Sequence, residues 1–250
     1  MRLTIIGCAG SFPNTGSAAS CYLVEADGTA IVLDLGSGSL GPLQAATDIR
    51  ALAGVVLSHL HPDHCLDLTS MYVARRYHPL GPPPRLAVHG PAGTQARITD
   101  AYRAAAGERV DLTSIYGFVE HVPDPIRIGP FTITVVPVAH PVPAYAIRVQ
   151  AGDSVLVYSG DTGPTPALVE LARGADLALF EASFLAGQDN PAHLHLTAVE
   201  AGEHARAAGV GRLLLTHLVS WNDAQATLAQ GRSAFDGELA LAAPGMVVEL

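Results

Sequence analysis

The segment Ser58-His59-Leu60-His61-Pro62-Asp63-His64 places three imidazoles and a carboxylate within six residues, directly after the apolar run Gly54–Leu57. Imidazole nitrogen and carboxylate oxygen are the donors that zinc, iron and manganese accept, whereas calcium takes oxygen alone. On an extended or turning backbone His59 and His61 point to one side and converge on one ion. Once the chain bends into a helix at Asp63, Asp63 and His64 face a second ion beside it. Three further donors each follow an apolar run: His140 after FTITVVPVA, Asp161 after SVLVYSG and His217 after RLLLT. A lone histidine at a strand end is usually an ordinary hydrogen-bonded residue. Six or seven donors gathered at strand C-ends are different, because an α/β fold builds its site at that edge.

Positioning these residues requires short strands alternating with helices. The strand expectations are Leu3–Gly7, Cys21–Glu25, Ala30–Leu35, Gly54–Ser58, Phe131–Ala139, Tyr145–Val149, Ser154–Ser159, Leu177–Phe180 and Arg212–Thr216. Phe131 to Val135 alternates with period two, so one face is buried. Val55–Leu57 and Leu213–Leu215 are apolar throughout and read as interior strands. Thr165-Pro166 opens a helix that Gly174 stops, and Thr197-Ala-Val-Glu200 is a capping box with Gly209 as its stop. Asp63 to about Tyr77 and Pro91 to about Ala106 are further helix expectations. GVVLSHL and RLLLTHL echo one another, each running from an apolar strand through a hydroxyl residue to His and Leu.

The 250 residues are 49% apolar and 15% charged, the profile of a packed protein and not of a disordered one. No linker or low-complexity segment divides them, so residues 1–250 are read as one domain. Net charge is −9, and all 14 basic residues are arginine, with Arg75-Arg76 the only adjacent pair. That argues against a broad polyanion-binding surface. Cys8, Cys21 and Cys65 show no paired spacing, which points to a reducing compartment. The first residues read as a strand, and the uncharged stretch Ile128–Ile147 contains four prolines and His140, which rules out a continuous lipid-facing helix. The expectation is a soluble, cytoplasmic protein.

His-x-His-x-Asp-His followed by separated His, Asp and His resembles the metal signature of the metallo-β-lactamase superfamily, over roughly Met1 to Leu218. The resemblance implies an α/β fold, the αββα sandwich of two mixed sheets packed face to face with helices outside. It implies two divalent metal ions, zinc first and iron or manganese as alternatives. One would be held by His59, His61 and His140, the other by Asp63, His64 and His217, with Asp161 bridging them.

Within the superfamily, Phe180-Glu181-Ala-Ser183 and His193-Leu-His195-Leu-Thr197 resemble two motifs of the ribonuclease Z branch. That branch commonly has His and Thr where Phe180 and Ser183 stand. The resemblance makes His195 the proton donor to the leaving oxygen and Glu181 the group that orients it. His193 is the rival for the first role, and Asp63 is counted with the pair as catalytic. Ribonuclease Z carries an extended arm that clamps tRNA, often between the positions of His140 and Asp161. Here those residues are only 21 positions apart, room for two strands and a turn.

The compact form resembles small phosphodiesterases of this branch, so the expected activity is attack of a metal-activated hydroxide on a small phosphodiester. A 3′,5′- or 2′,3′-cyclic nucleotide is the first choice. The alternatives are a tRNA 3′-end endonuclease, a thioester, lactone or sulfate-ester hydrolase, and a metal-stabilised binding module without turnover. The expected partners are a small phosphodiester and, because dimers are frequent in the family, a second copy of the chain. No membrane or large nucleic acid is expected. Four weaker substrate contacts are Ser11 and Asn14, in a loop whose N–H groups suit a phosphate, and Tyr145 and Trp221, whose rings suit a base. Asp34 is expected to support the metal loops by hydrogen bonds, and Cys65 to be a small buried residue.

Overall fold

The computed structural model describes residues 1–105, 107–108 and 110–250. Two sheets face each other. The first runs in the order β15 (Val247–Glu249), β1 (Arg2–Ala9), β3 (Cys21–Ala26), β4 (Thr29–Leu33), β5 (Gly54–Val56), β6 (Leu86–Gly90), β7 (Tyr116–Glu120), with the short β2 (Ala18–Ala19) beside β1. The second runs β14 (Glu238–Leu241), β13 (Arg212–Thr216), β12 (Leu177–Glu181), β11 (Ser154–Tyr158), β10 (Tyr145–Ala151), β9 (Phe131–Pro137), β8 (Ile126–Ile128). The helices are α1 (Leu40–Ala46), α2 (Pro62–Cys65), α3 (Leu68–Arg76), α4 (Thr94–Tyr102), α5 (Pro166–Leu171), α6 (Ala198–Ala208) and α7 (Ala224–Ala234).

Side-chain alternation builds the layers. In β3, Tyr22 and Val24 enter the core between the sheets, while Cys21 and Leu23 face the helices. In β13, Leu214 faces the inter-sheet core and Leu213 and Leu215 face outward. Leu43 of α1, Met71 of α3 and Ile98 of α4 cover the first sheet; Leu168 of α5, Ala201 of α6 and Leu228 of α7 cover the second. Strands covered on both faces must be apolar throughout, which explains Val55–Leu57 and Leu213–Leu215. The result is the αββα sandwich.

The two echoed strands occupy matching places. β5 lies between β4 and β6 in one parallel set, and β13 lies between β12 and β14 in the other. Their C-terminal ends meet at one rim, where Leu218 bridges to Ala9 and Tyr145 N–H donates to Ser58 O.

Some boundaries differ from expectation. The helix expected from Asp63 to Tyr77 is broken at Leu66-Asp67, where the Asp67 N–H leaves the helical ladder to donate to Leu35 O at 3.1 Å and the Asp67 carboxylate accepts from Leu40 N at 2.8 Å. The helix expected from Pro91 starts at Thr94, because Gly93 is left-handed (φ 86°), and ends at Tyr102; Ala106 lies outside the described residues. Ile128–Ile147 forms strand and loop, and no described helix is long and apolar enough to cross a membrane. Strands β2, β6, β7, β8, β14 and β15 and helices α1 and α7 are not among the expectations. The capping box of Thr197 and Glu200 is formed, and Gly209 closes that helix at φ 65°.

Candidate metal centre

Each donor reaches the rim from the C-terminal side of a strand. His59, His61, Asp63 and His64 follow β5, His140 follows β9, Asp161 follows β11, and His217 follows β13. Their donor atoms fall into two groups, His59–His61–His140–Asp161 and Asp63–His64–Asp161–His217, each within 4.8 Å. Asp161 belongs to both. His59 Nε2 lies 3.0 Å from His61 Nδ1, His140 Nε2 lies 3.3 Å from that same atom, and His64 Nε2 lies 3.3 Å from His217 Nε2.

The outward nitrogens explain why these inward atoms carry lone pairs. His64 Nδ1 donates to Asp34 Oδ2 at 2.7 Å, and His140 Nδ1 donates to Leu194 O at 3.0 Å. His59 Nδ1 lies 3.1 Å from Ser58 Oγ, and His217 Nδ1 lies 2.7 Å from Ser183 Oγ. Fixing the proton on the far nitrogen is how proteins present imidazole to a metal. Among the described residues Asp161 Oδ1 is buried without a hydrogen-bond partner, with His64 Nε2 3.3 Å away, and a buried carboxylate oxygen left so is costly unless a cation meets it.

The electrostatics agree. Burial works against a charge on His64, yet Asp161, Asp34 and Asp63 together hold its pKa well above the ordinary value. Burial lowers His59. Asp161 and Asp63 lie below the carboxylate range although burial opposes it, because His217 and His64 surround the first and His64 and His217 the second. The site calls for positive charge, and the donor set fits two divalent cations.

Asp34 is the buried support. Its carboxylate accepts from Ser58 N at 2.6 Å and, at 2.7 Å each, from Ser58 Oγ, Tyr158 OH and His64 Nδ1. It sits in the left-handed region at φ 55°. Two residues on, Gly36 lets the chain pass α2: a Cβ there would lie 1.8 Å from Asp63 O.

Glu181, fully buried at the end of β12, accepts from His195 Nδ1 at 2.8 Å, and that ring lies 3.9 Å from Asp161. Glu181 also accepts from Thr162 N, Ser183 N and Ser183 Oγ. Burial lowers the affinity of His195 for a proton, but Glu181 outweighs it and raises the pKa to about 9. His193 is exposed, at φ 57°. The structure therefore brings His195 to Glu181.

The weaker substrate expectations divide. Ser11 N–H points at His217 Nε2 from 3.2 Å. The neighbouring N–H groups are already used, Cys8 N by Ser17 Oγ and Gly10 N by Leu218 O, so the phosphate-loop reading is corrected to one available donor. Gly7 and Gly10 serve close packing: a Cβ would lie 2.0 Å from Ala19 O or 2.5 Å from His217 O. Asn14 Oδ1 accepts from Gly16 N and Ser17 N, and the Tyr145 ring packs on His121 at 4.9 Å. Trp221 packs on Phe12 at the rim. Cys8, Cys21 and Cys65 are buried and free, and burial pushes the Cys65 thiol up to about 12. The expectations had not named Ser58, Ser183, Tyr158 or Gly36 as supports. The serine beside the first histidine and the Asp-x-Gly spacing were their only signals.

Residues 29–218 match the family model described as Beta-lactamase superfamily domain. An uncharacterized protein of Mycobacterium leprae is 43% identical over 241 residues, covering 95% of this chain and 84% of the relative. The probable metallo-hydrolase YhfI of Bacillus subtilis is 33% identical over 251 residues, covering all of both chains. Its crystal structure superposes with a TM-score of 0.88 at 30% identity over 99% of each chain. A ribonuclease Z of Haloferax volcanii is 27% identical over 307 residues, covering all of this chain and 95% of the relative. The chain belongs to the beta-lactamase superfamily of metallo-hydrolases, in its ribonuclease Z-like branch.

Proposed function

We propose that this protein hydrolyses small phosphodiesters with two divalent metal ions, zinc first, and that a 3′,5′- or 2′,3′-cyclic nucleotide is its preferred substrate. The observation that carries the proposal is the His195–Glu181 pair, at 2.8 Å and beside the shared ligand Asp161. A phosphodiester leaves as an alkoxide and needs a proton at that moment. His195, with its proton affinity raised, holds one at neutral pH. Glu181 keeps Nδ1 engaged, so Nε2 is the nitrogen free to face the leaving oxygen. His140 Nδ1 donates to Leu194 O, which ties the loop carrying His195 to the first ligand group.

When bound, divalent cations supply Lewis acidity toward the phosphoryl oxygens and toward water. His59, His61 and His140 would hold one, Asp63, His64 and His217 the other, with Asp161 between. Ser11 N–H, at the edge of the second group, orients toward an oxygen of the substrate once the His217 lone pair is engaged.

The small-substrate reading is supported by what lies between His140 and Asp161. Only the hairpin of β10 and β11 stands there, while the Haloferax ribonuclease Z aligns over 307 residues against 250 here and carries additional segments. The test is turnover of bis(p-nitrophenyl) phosphate, 3′,5′-cyclic AMP and 2′,3′-cyclic AMP by chelator-stripped protein resupplied with zinc, manganese or iron. Metal-dependent hydrolysis of a cyclic nucleotide, lost in Asp161→Ala, is the expected result. Silence on all three from protein holding two metals sinks the proposal in favour of another ester or a binding role. The ribonuclease Z relative favours one second reading, a tRNA 3′-end endonuclease, which cleavage of a precursor tRNA at nanomolar protein would establish.

A further inference from the structure

We infer that Phe12 and Trp221 form a stacking platform for the nucleobase of the substrate, an inference that rests on the nucleotide reading above. The two rings are 5.4 Å apart between centroids and tilted by 39°, an open wedge and not a closed stack. Both are exposed, Trp221 by 71% and Phe12 by 39%. Two large aromatic faces left to water in contact with one another are a feature of binding sites.

Their position selects the ligand. Phe12 follows Ser11, whose N–H lies 3.2 Å from His217 Nε2. Trp221 lies four residues beyond His217 on the loop after β13. The two loops are joined at their roots, Gly10 N–H donating to Leu218 O and Leu218 N–H to Cys8 O. Each loop is also fixed internally. Asn14 Oδ1 accepts from Gly16 N and Ser17 N below Phe12. Asn222 Nδ2, next to Trp221, donates to Ser183 O at 2.8 Å, and Ser183 Oγ touches His217 Nδ1. The wedge is therefore borne on two loops that both connect to His217, one through Ser11 N–H and the other through Asn222 and Ser183. A nucleotide carries its base one sugar away from its phosphate. With the phosphate at the metals, the base falls on the rim, and a planar aromatic face there is what a base stacks on. Neither ring offers a base-reading set of donors, so the platform takes purines by their larger surface and discriminates weakly between adenine and guanine.

Trp221 is the only tryptophan of the chain, so its emission reports on the platform directly. Metal-loaded protein is titrated with 5′-AMP and, separately, with ribose 5-phosphate, exciting at the red edge where the purine does not absorb. The expected result is saturable quenching by 5′-AMP and none by ribose 5-phosphate. Phe12→Ala should raise the half-saturating 5′-AMP concentration about tenfold, toward the lower end of the range measured for losing one stacked base because Trp221 still offers its face. In kinetics, Trp221→Ala should lower by about tenfold the ratio of kcat/KM for 3′,5′-cyclic AMP over that for the base-free ribose 3,5-cyclic phosphate, and Trp221→Phe should restore most of it. Emission unmoved by 5′-AMP at concentrations that inhibit turnover overturns the platform. So does emission that responds instead to protein concentration, which would mean that a second copy covers the rings. Quenching by 5′-AMP without hydrolysis of any cyclic nucleotide leaves the platform standing and removes the phosphodiesterase reading; hydrolysis with an unchanged ratio in Trp221→Ala does the reverse.

Discussion

Replacing Glu181 by Gln keeps the shape of the side chain and removes the charge that holds the proton on His195. In the parent, burial of the ring pulls its pKa down, and the carboxylate at 2.8 Å reverses this to about 9. Without the charge, the imidazole falls to the ordinary value of about 6.5 or below. The sign follows directly. A general acid works while protonated, so activity is lost as pH rises through its pKa, and that alkaline limb moves down. At about pH 8 the protonated fraction drops from roughly nine-tenths to about three-hundredths, close to thirtyfold, or about 2 kcal/mol in the barrier. Cations on the site lower the value in both proteins, so the difference between them is the quantity to measure. The assay is the pH profile of kcat/KM for a cyclic nucleotide, whose leaving alkoxide needs the proton, beside bis(p-nitrophenyl) phosphate, whose leaving group does not. The limb should shift by about two and a half units or more, and the loss should be confined to the first substrate. A limb left in place, or an equal loss on both substrates, would refute the assignment of His195 as proton donor.

Asp161→Ala and His64→Ala should each abolish turnover together with metal content, read by elemental analysis, whereas His195→Ala should slow turnover and keep both metals. Asp34→Asn tolerates the left-handed backbone but weakens the anchor of His64, Ser58 and Tyr158. The affinity of the second metal should fall about 10–100-fold, measured by competition with a chelator. Gly36→Ala drives a Cβ into Asp63 O, so α2 must move; a variant with an unchanged metal affinity would show that the close approach is not needed. Adding metal at about a hundred times its Kd to stripped protein should stabilise the fold by about 2.7 kcal/mol and raise Tm by about 5–10 °C.

The seven donors were legible because metal chemistry restricts residue type and because each follows an apolar strand. The strands themselves were legible where both faces are covered, as in Leu213–Leu215. Edge strands such as β14, with exposed Glu238 and Ala240, and β15, with exposed Val247 and Glu249, were not, since one-sided burial over three or four residues leaves no clear period. The break of the helix after His64 was hidden for a different reason. Nothing local disfavours a helix through Leu66-Asp67; the Asp67 N–H is drawn to Leu35 O, far away in the sequence, and its carboxylate to Leu40 N, a partner 27 positions away.

The same distinction separates the ligands from what holds them. A metal ligand is named by its own chemistry, so its sequence signal is strong. Its support is named only by contact. Ser183 reaches His217 from 34 positions away, and Tyr158 reaches Asp34 from 124. These are common residue types doing ordinary hydrogen bonding, and only the folded chain shows that both end on the metal centre. Gly36 is the extreme case, since its contribution is the absence of a Cβ beside Asp63. The site is thus written twice, once in seven distinctive residues and once in a buried polar frame, of which Asp34 is legible through the family resemblance while Ser58, Tyr158 and Ser183 carry no signature of their own. Because that frame fixes the proton on the far nitrogen of His64 and engages His217 at Nδ1, it would set how tightly a metal at Asp63, His64 and His217 is held. Substitutions there should therefore vary metal affinity by degrees, where substitutions of the ligands abolish it.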